Sequence, residues 1–91
     1  MFKITSGKGF QMKFANGWTV SVQFGKGNYC DHYHATWSEE VDVSLGAKGS
    51  STAEIAAWDS EGTWHDFGTD TVKGYCTPNE VSEFISMIAA K

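Results

Sequence analysis

Apolar and polar residues alternate most regularly near the N-terminus. Phe10-Gln11-Met12-Lys13-Phe14 and Trp18-Thr19-Val20-Ser21-Val22-Gln23-Phe24 both repeat with period two, the mark of half-buried strands. Between them stands Ala15-Asn16-Gly17, and Asn-Gly on its own favours a two-residue type I′ turn. Face matching overrules that preference. A two-residue loop would set Phe14 opposite Thr19 and mix apolar with polar side chains on one face. A three-residue loop sets Phe14 opposite Trp18, Met12 opposite Val20 and Phe10 opposite Val22, so every apolar side chain shares a face. The pattern therefore predicts a type I turn closed by Gly17 in the left-handed conformation, as a G1 bulge.

Beyond the hairpin the pattern is less even. Residues 25–28 (Gly-Lys-Gly-Asn) read as a flexible loop, and residues 29–40 carry no clean period. Val41-Asp42-Val43-Ser44-Leu45 alternates again as a strand, and 46–51 form a linker. Residues 52–58 predict another strand with Ile55 inward, although their alanines leave a helix open. Residues 59–62 form a four-residue turn after which 63–67 return antiparallel. Residues 2–5 and 72–75 suit short edge strands. The helix over 78–90 is well announced: Thr77 as N-cap, Pro78 at the first position and Glu80 at the third make a capping box. Val81, Phe84, Ile85 and Ile88 form one apolar stripe, to be laid on the Phe10/Met12/Phe14/Trp18/Val20/Val22 face. Glu83 near the start and Lys91 at the end complement the helix dipole. The expected architecture is α+β: an antiparallel sheet of four to six short strands, with one C-terminal α-helix packed on one face, in a single domain over 1–91.

Composition changes this picture in three respects. Aromatic residues are 14% of the chain, including 4 Trp, which suits both a compact core and a binding surface. The net charge is −4, and all 7 cations are Lys. Without the planar fork of Arg, an acidic domain is poorly equipped to grip nucleic acid through many phosphates. No direct nucleic-acid partner is expected. No apolar run approaches the ~20 residues of a membrane span, and none reads as a signal peptide, so the expected location is the cytoplasm, with no membrane partner. Cys30 and Cys76 are then expected as thiols rather than a disulfide.

Candidate chemistry clusters after the hairpin. Cys30, His32 and His34 would share a face of a strand, with neighbours ~6.6 Å apart at Cα. Two of them, completed by Cys76 or His65, would suit Zn²⁺, but the paired-ligand spacing of structural zinc motifs is missing. Exposed polar residues are the simpler reading, and no cofactor or metal is expected. A Cys/His nucleophile pair exists in inventory only, without an oxyanion-hole element. In Trp64-His65-Asp66 the His and the carboxylate would point to opposite faces of a strand. A non-enzymatic protein is therefore expected. Gly25-Lys26-Gly27-Asn28 lacks P-loop spacing, yet its backbone amides and Lys26, with Tyr29 or Tyr33 nearby, suit a nucleotide-like ligand. Trp37, Trp58 and Trp64 lie outside the clean core pattern and would mark a binding patch if exposed together. The ligand-binding set is thus Lys26, Asn28, Tyr29, Tyr33, Trp37 and Trp64. The acidic run Ser38-Glu39-Glu40-Val41-Asp42 reads first as a solvated strand edge and second as a contact for a basic partner.

Three strings resemble a family of small proteins encoded by phages and prophages: residues 16–30 with position 26 open (Asn-Gly-Trp-Thr-Val-Ser-Val-Gln-Phe-Gly-x-Gly-Asn-Tyr-Cys), 53–59 (Ala-Glu-Ile-Ala-Ala-Trp-Asp) and 72–78 (Val-Lys-Gly-Tyr-Cys-Thr-Pro). They cover about a third of the chain. The resemblance carries over no catalytic or binding residue. It implies a source class whose small accessory proteins often inhibit bacterial defence. Two expectations follow, both set in the host cytoplasm. One is a protein, possible as a homodimer, that sequesters a nucleotide-derived immune signal. The other is an acidic inhibitor of a nucleic-acid-binding defence complex, in the manner of an anti-CRISPR protein. A small metal-binding or enzymatic domain built on Cys30, His32 and His34 comes third.

Overall fold

A computed structural model describes residues 1–5, 9–24 and 50–91. Among them are five strands, β1 (Phe2–Ile4), β2 (Gly9–Lys13), β3 (Thr19–Gln23), β4 (Ala53–Trp58) and β5 (Lys73–Cys76), and one helix, α1 (Pro78–Ala89). The strands form an antiparallel sheet in the order β1-β2-β3-β4-β5, with α1 packed on one face. The fold is α+β. The strand predicted over 41–45 and the loop over 25–28 lie outside the described residues.

The hairpin has the register that face matching requires: Phe10 opposes Val22 and Met12 opposes Val20. The Gly17 N–H donates to the Phe14 carbonyl at 3.0 Å, the Phe14 N–H donates to the Trp18 carbonyl at 2.8 Å, and Gly17 has φ +88°. A side chain at Gly17 would be strained, which is why glycine closes this loop. The second turn repeats the pattern. Gly62 N–H donates to Asp59 O at 3.1 Å, Asp59 N–H donates to Thr63 O at 2.9 Å, and Gly62 has φ +83°. The predicted four-residue turn over 59–62 is therefore a three-residue loop between Asp59 and Thr63.

This one-residue difference sets Trp64 opposite Trp58. It does not create the full return strand expected over 63–67. His65 N–H reaches Ala57 O at 2.8 Å, after which Phe67 N–H turns to Asp70 O at 2.9 Å and the segment leaves the edge of β4. The other half of that edge is taken by β5, with Ala53 opposite Cys76 and Ile55 opposite Lys73. Two steps on β4 match three on β5, so β5 carries a bulge. Within it Tyr75 has φ +54°.

Helix α1 begins as its sequence predicts. The Thr77 side chain accepts from the Glu80 N–H and the Glu80 carboxylate accepts from the Thr77 N–H at 3.0 Å. Phe84 and Ile88 are buried against Val20, Val22, Ile55, Ala57 and Cys76, with Val81 and Ile85 packed at the margin. The helix lies over β3, β4 and β5 rather than centrally over the hairpin, because Thr77 alone separates it from β5. The β2 and hairpin-end side chains Phe10, Met12, Phe14 and Trp18 are accordingly only partly buried. Lys91, expected at the dipole's negative end, has its ammonium over the Trp18 ring, 4.9 Å from the centroid.

Candidate functional site

Strand β3 alternates Val20 and Val22 toward α1, and β4 answers with Ala57 and Ile55. Beside Phe24, which follows β3, and Ser50, Ser51 and Thr52, which precede β4, sheet and helix do not close on one another. A cavity of about 400 Å³ lies there. Its walls are Phe10, Val22 and Phe24 from the hairpin side and Val81 and Ile85 from the helix, with the Cys76 thiol among the lining groups. Hydroxyls come from Ser82 and Ser86, one turn apart on α1, and from Ser50, whose Oγ donates to the Thr52 carbonyl at 2.6 Å.

Among the described residues, none that lines this cavity is charged. A phosphate or carboxylate placed inside would lose its hydration, and none of these lining residues is a cation that could replace it. An uncharged flat or branched group would bury apolar area against the rings and meet hydroxyls at the edge. Cys76 is 1% exposed, and its thiol donates weakly to the carbonyls of Lys73 and Gly74 at 3.7 Å each. Burial pushes its pKa up, partly offset by the nearby Lys73 ammonium, so it is a poor nucleophile at neutral pH.

Of the six predicted ligand-binding residues, Lys26, Asn28, Tyr29, Tyr33 and Trp37 lie outside the described residues, as do Cys30, His32, His34 and the acidic run 38–42. Trp64 is described and is 45% exposed. Its ring packs on Trp58 with centroids 4.8 Å apart and planes 33° apart. Trp58 alternates with the inward Ala57, so this pair lies on the sheet face opposite α1 and its cavity. Trp64 and the cavity are therefore separate features.

The remaining described candidates do not assemble a reactive centre. Among the described residues no three His, Cys, Asp or Glu side chains gather as metal ligands. His65 sits in an aromatic cluster, 4.8 Å from the Phe67 centroid and 5.5 Å from that of Phe84. Asp66 is exposed, and its carboxylate accepts the Gly68 N–H at 2.7 Å. Neighbours in sequence, the imidazole and the carboxylate thus serve different surroundings.

The sequence pattern does not reveal the cavity, because the apolar stripe accounts for Val81 and Ile85 as core residues alone. The available signal was the pair Ser82 and Ser86, small residues at i and i+4 beside that stripe. Small side chains on a helix flank leave space against the sheet unless the facing residues are large. No family model matches the chain, and no curated protein or solved structure is significantly similar to it.

Proposed function

We propose that the protein works by binding rather than catalysis, as a phage-encoded protein that counters bacterial defence by sequestering a nucleotide-derived signal. In this reading the uncharged base enters the cavity between α1 and the sheet. The observation that carries it is the cavity itself: aromatic, edged by hydroxyls, with no charge among its described lining residues, and of a volume suited to small ligands. Phe24, one of its walls, is followed directly in the chain by Gly25-Lys26-Gly27-Asn28, the amide- and Lys-bearing stretch suited to phosphates. Base and phosphate would thus be served by adjoining parts of the chain. Thermal-shift titration with cyclic nucleotides and ADP-ribose derivatives tests this. Stabilisation is expected, it should vanish in Ser82→Trp, which fills the cavity, and Lys26→Glu should weaken nucleotides but not nucleosides. Absence of any stabilisation near millimolar ligand would sink the proposal.

A second reading is favoured by a different observation. Residues 59–72 hold four carboxylates (Asp59, Glu61, Asp66 and Asp70) and no Lys, flanking in sequence the exposed Trp64. An exposed aromatic among acidic residues suits a basic protein surface, as an inhibitor of a nucleic-acid-binding complex would require. Salt-sensitive binding to a Cas-type complex, lost in Trp64→Ala, would favour it over sequestration.

A further inference from the structure

Helix α1 covers the sheet from β3 to β5, and no other described element covers the β1 end of the same face. Phe2 opposes Met12 and Ile4 opposes Phe10, so all four share the apolar face. Phe2 is nevertheless 71% exposed and Ile4 79%. Among the described residues their backbones also have no partner on one side. Met1 exchanges both hydrogen bonds with Lys13, at 2.9 and 3.1 Å, and the Thr5 N–H donates to Gly9 O at 3.1 Å. By the alternation of an antiparallel ladder, Lys3 also faces β2, and the N–H and C=O of Phe2 and Ile4 point away from the sheet.

Charge selects among strands that might pair there. The chain carries net −4, yet β1 and β2 hold Lys3 and Lys13 and no carboxylate. Both ammonium groups are on the face opposite Phe2 and Ile4, and both residues are exposed. A second copy docked by two-fold symmetry on this three-residue edge would set Lys3 against Lys3, a repulsive cross-strand pair. A strand with a carboxylate between two apolar residues would instead complete both faces at once.

We infer that the outer edge of β1 is a strand-addition site for an extended segment of another protein with an apolar–acidic–apolar pattern. Its backbone takes the outward groups of Phe2 and Ile4, its carboxylate pairs with Lys3, and its apolar side chains extend the Phe2/Ile4 strip. This edge is distinct from Trp64, and its apolar strip adjoins the cavity through Phe10, which opposes Ile4 and lies 6.3 Å from the Phe2 ring.

Amide exchange of the full chain by NMR, with a capped nine-residue peptide of alternating Val and Glu, tests it. The amides of Phe2 and Ile4 should slow on titration. N-methylation of the peptide residues facing β1 should abolish the effect, and methylation of the intervening ones should not. Lys3→Glu should weaken the peptide about three- to tenfold and reverse the preference toward a Val/Lys peptide. The inference is overturned if the two amides stay unprotected at millimolar peptide, or if Lys3→Glu changes nothing. It is equally overturned if protection appears without peptide and grows with protein concentration, which would assign the edge to a second copy.

Discussion

The Asn16 side chain ties the β2–β3 turn to the far end of the chain: its amide nitrogen donates to the Ile88 carbonyl at 2.9 Å, across 72 positions in sequence. The same nitrogen reaches the carbonyls of Ala89 at 3.3 Å and Lys91 at 3.1 Å. Three carbonyls around one atom fix the amide orientation, since only the NH₂ group can donate to them. Its oxygen meanwhile accepts the Trp18 N–H at 3.0 Å. One side chain thus shapes the turn and caps the orphan carbonyls of α1.

Asn16→Ala should therefore cost about 1–2 kcal/mol, more than a solvent-facing turn residue would. The loss should be seen first as faster amide exchange at Ala90 and Lys91, which follow α1 and donate back to Ser86 O and Ile88 O. Asn16→Asp should be worse than Ala by several tenths of a kcal/mol or more, because it replaces the donor with a negative charge at the negative end of the dipole. Urea unfolding of the two variants, compared at neutral pH, decides the order.

The two glycine-closed turns provide a matched pair. Gly17 has φ +88° and would place a Cβ 3.4 Å from the Ser60 Cβ, whereas Gly62 has φ +83° and open space around it. Gly62→Ala should cost about 1 kcal/mol from backbone strain alone. Gly17→Ala should cost at least as much, since its Cβ would also meet Ser60 at the close limit of van der Waals contact. Equal losses would mean that the contact between the two turns is soft.

How much of this was legible depended on whether neighbouring positions constrained one another. Six apolar residues had to share a face, and that excluded the wrong register for β2 and β3. Thr77, Pro78 and Glu80 likewise left one place for the helix to begin. The second turn had fewer constraints: Trp58 and Trp64 suit either face, so a four-residue turn looked as good as the three-residue loop. The Asn16–Ile88 bond was invisible, because nothing local in Ala-Asn-Gly says which distant carbonyls the amide will meet. The cavity was hidden for a related reason. It is set by how α1 is offset toward β5, which follows from a one-residue connection rather than from the stripe.

Tyr75 occupies a conformation that favours glycine, φ +54°, inside the β5 bulge, with its side chain 56% exposed. Little burial is lost on replacing it. Tyr75→Asn, which tolerates the left-handed region, should stabilise the protein by up to about 1 kcal/mol. Tyr75→Gly should gain less, because glycine also raises the entropy of the unfolded chain. If both variants are destabilised in urea titrations, the Tyr75 ring makes contacts that outweigh its backbone strain.

Cys76 reports on the cavity it lines. In a Cys30→Ser background, a thiol reagent at about pH 7.5 should react with it slowly, because the group is buried and its pKa raised. Sub-denaturing urea should speed the reaction. A ligand held in the cavity should slow it further, while one held at Trp64 should leave it unchanged.

The capping box makes part of the stability pH-dependent. The Thr77 N–H bond, then the Thr77 side chain and Lys73, lower the pKa of the Glu80 carboxyl from its ordinary 4.5. A depressed folded-state value means that the contribution is complete above the unfolded pKa and fades as the pH falls through the folded one. Wild-type stability should thus drop below about pH 4.5 partly through this group. Glu80→Gln keeps the capping geometry but cannot ionise, so its profile should be flatter in the acid range and parallel to wild type above about pH 6. Lys73 stands 3.4 Å from the carboxylate, but the pair is half exposed. Such surface pairs contribute little, so Lys73→Gln should leave most of the acid dependence in place, whereas Thr77→Val should remove the side-chain part of the cap and cost about 1 kcal/mol at neutral pH. Urea midpoints measured from acid to neutral pH for the three variants separate the N-cap bonds from the ion pair. A Lys73→Gln profile as flat as that of Glu80→Gln would reverse the assignment and make the salt bridge the dominant partner.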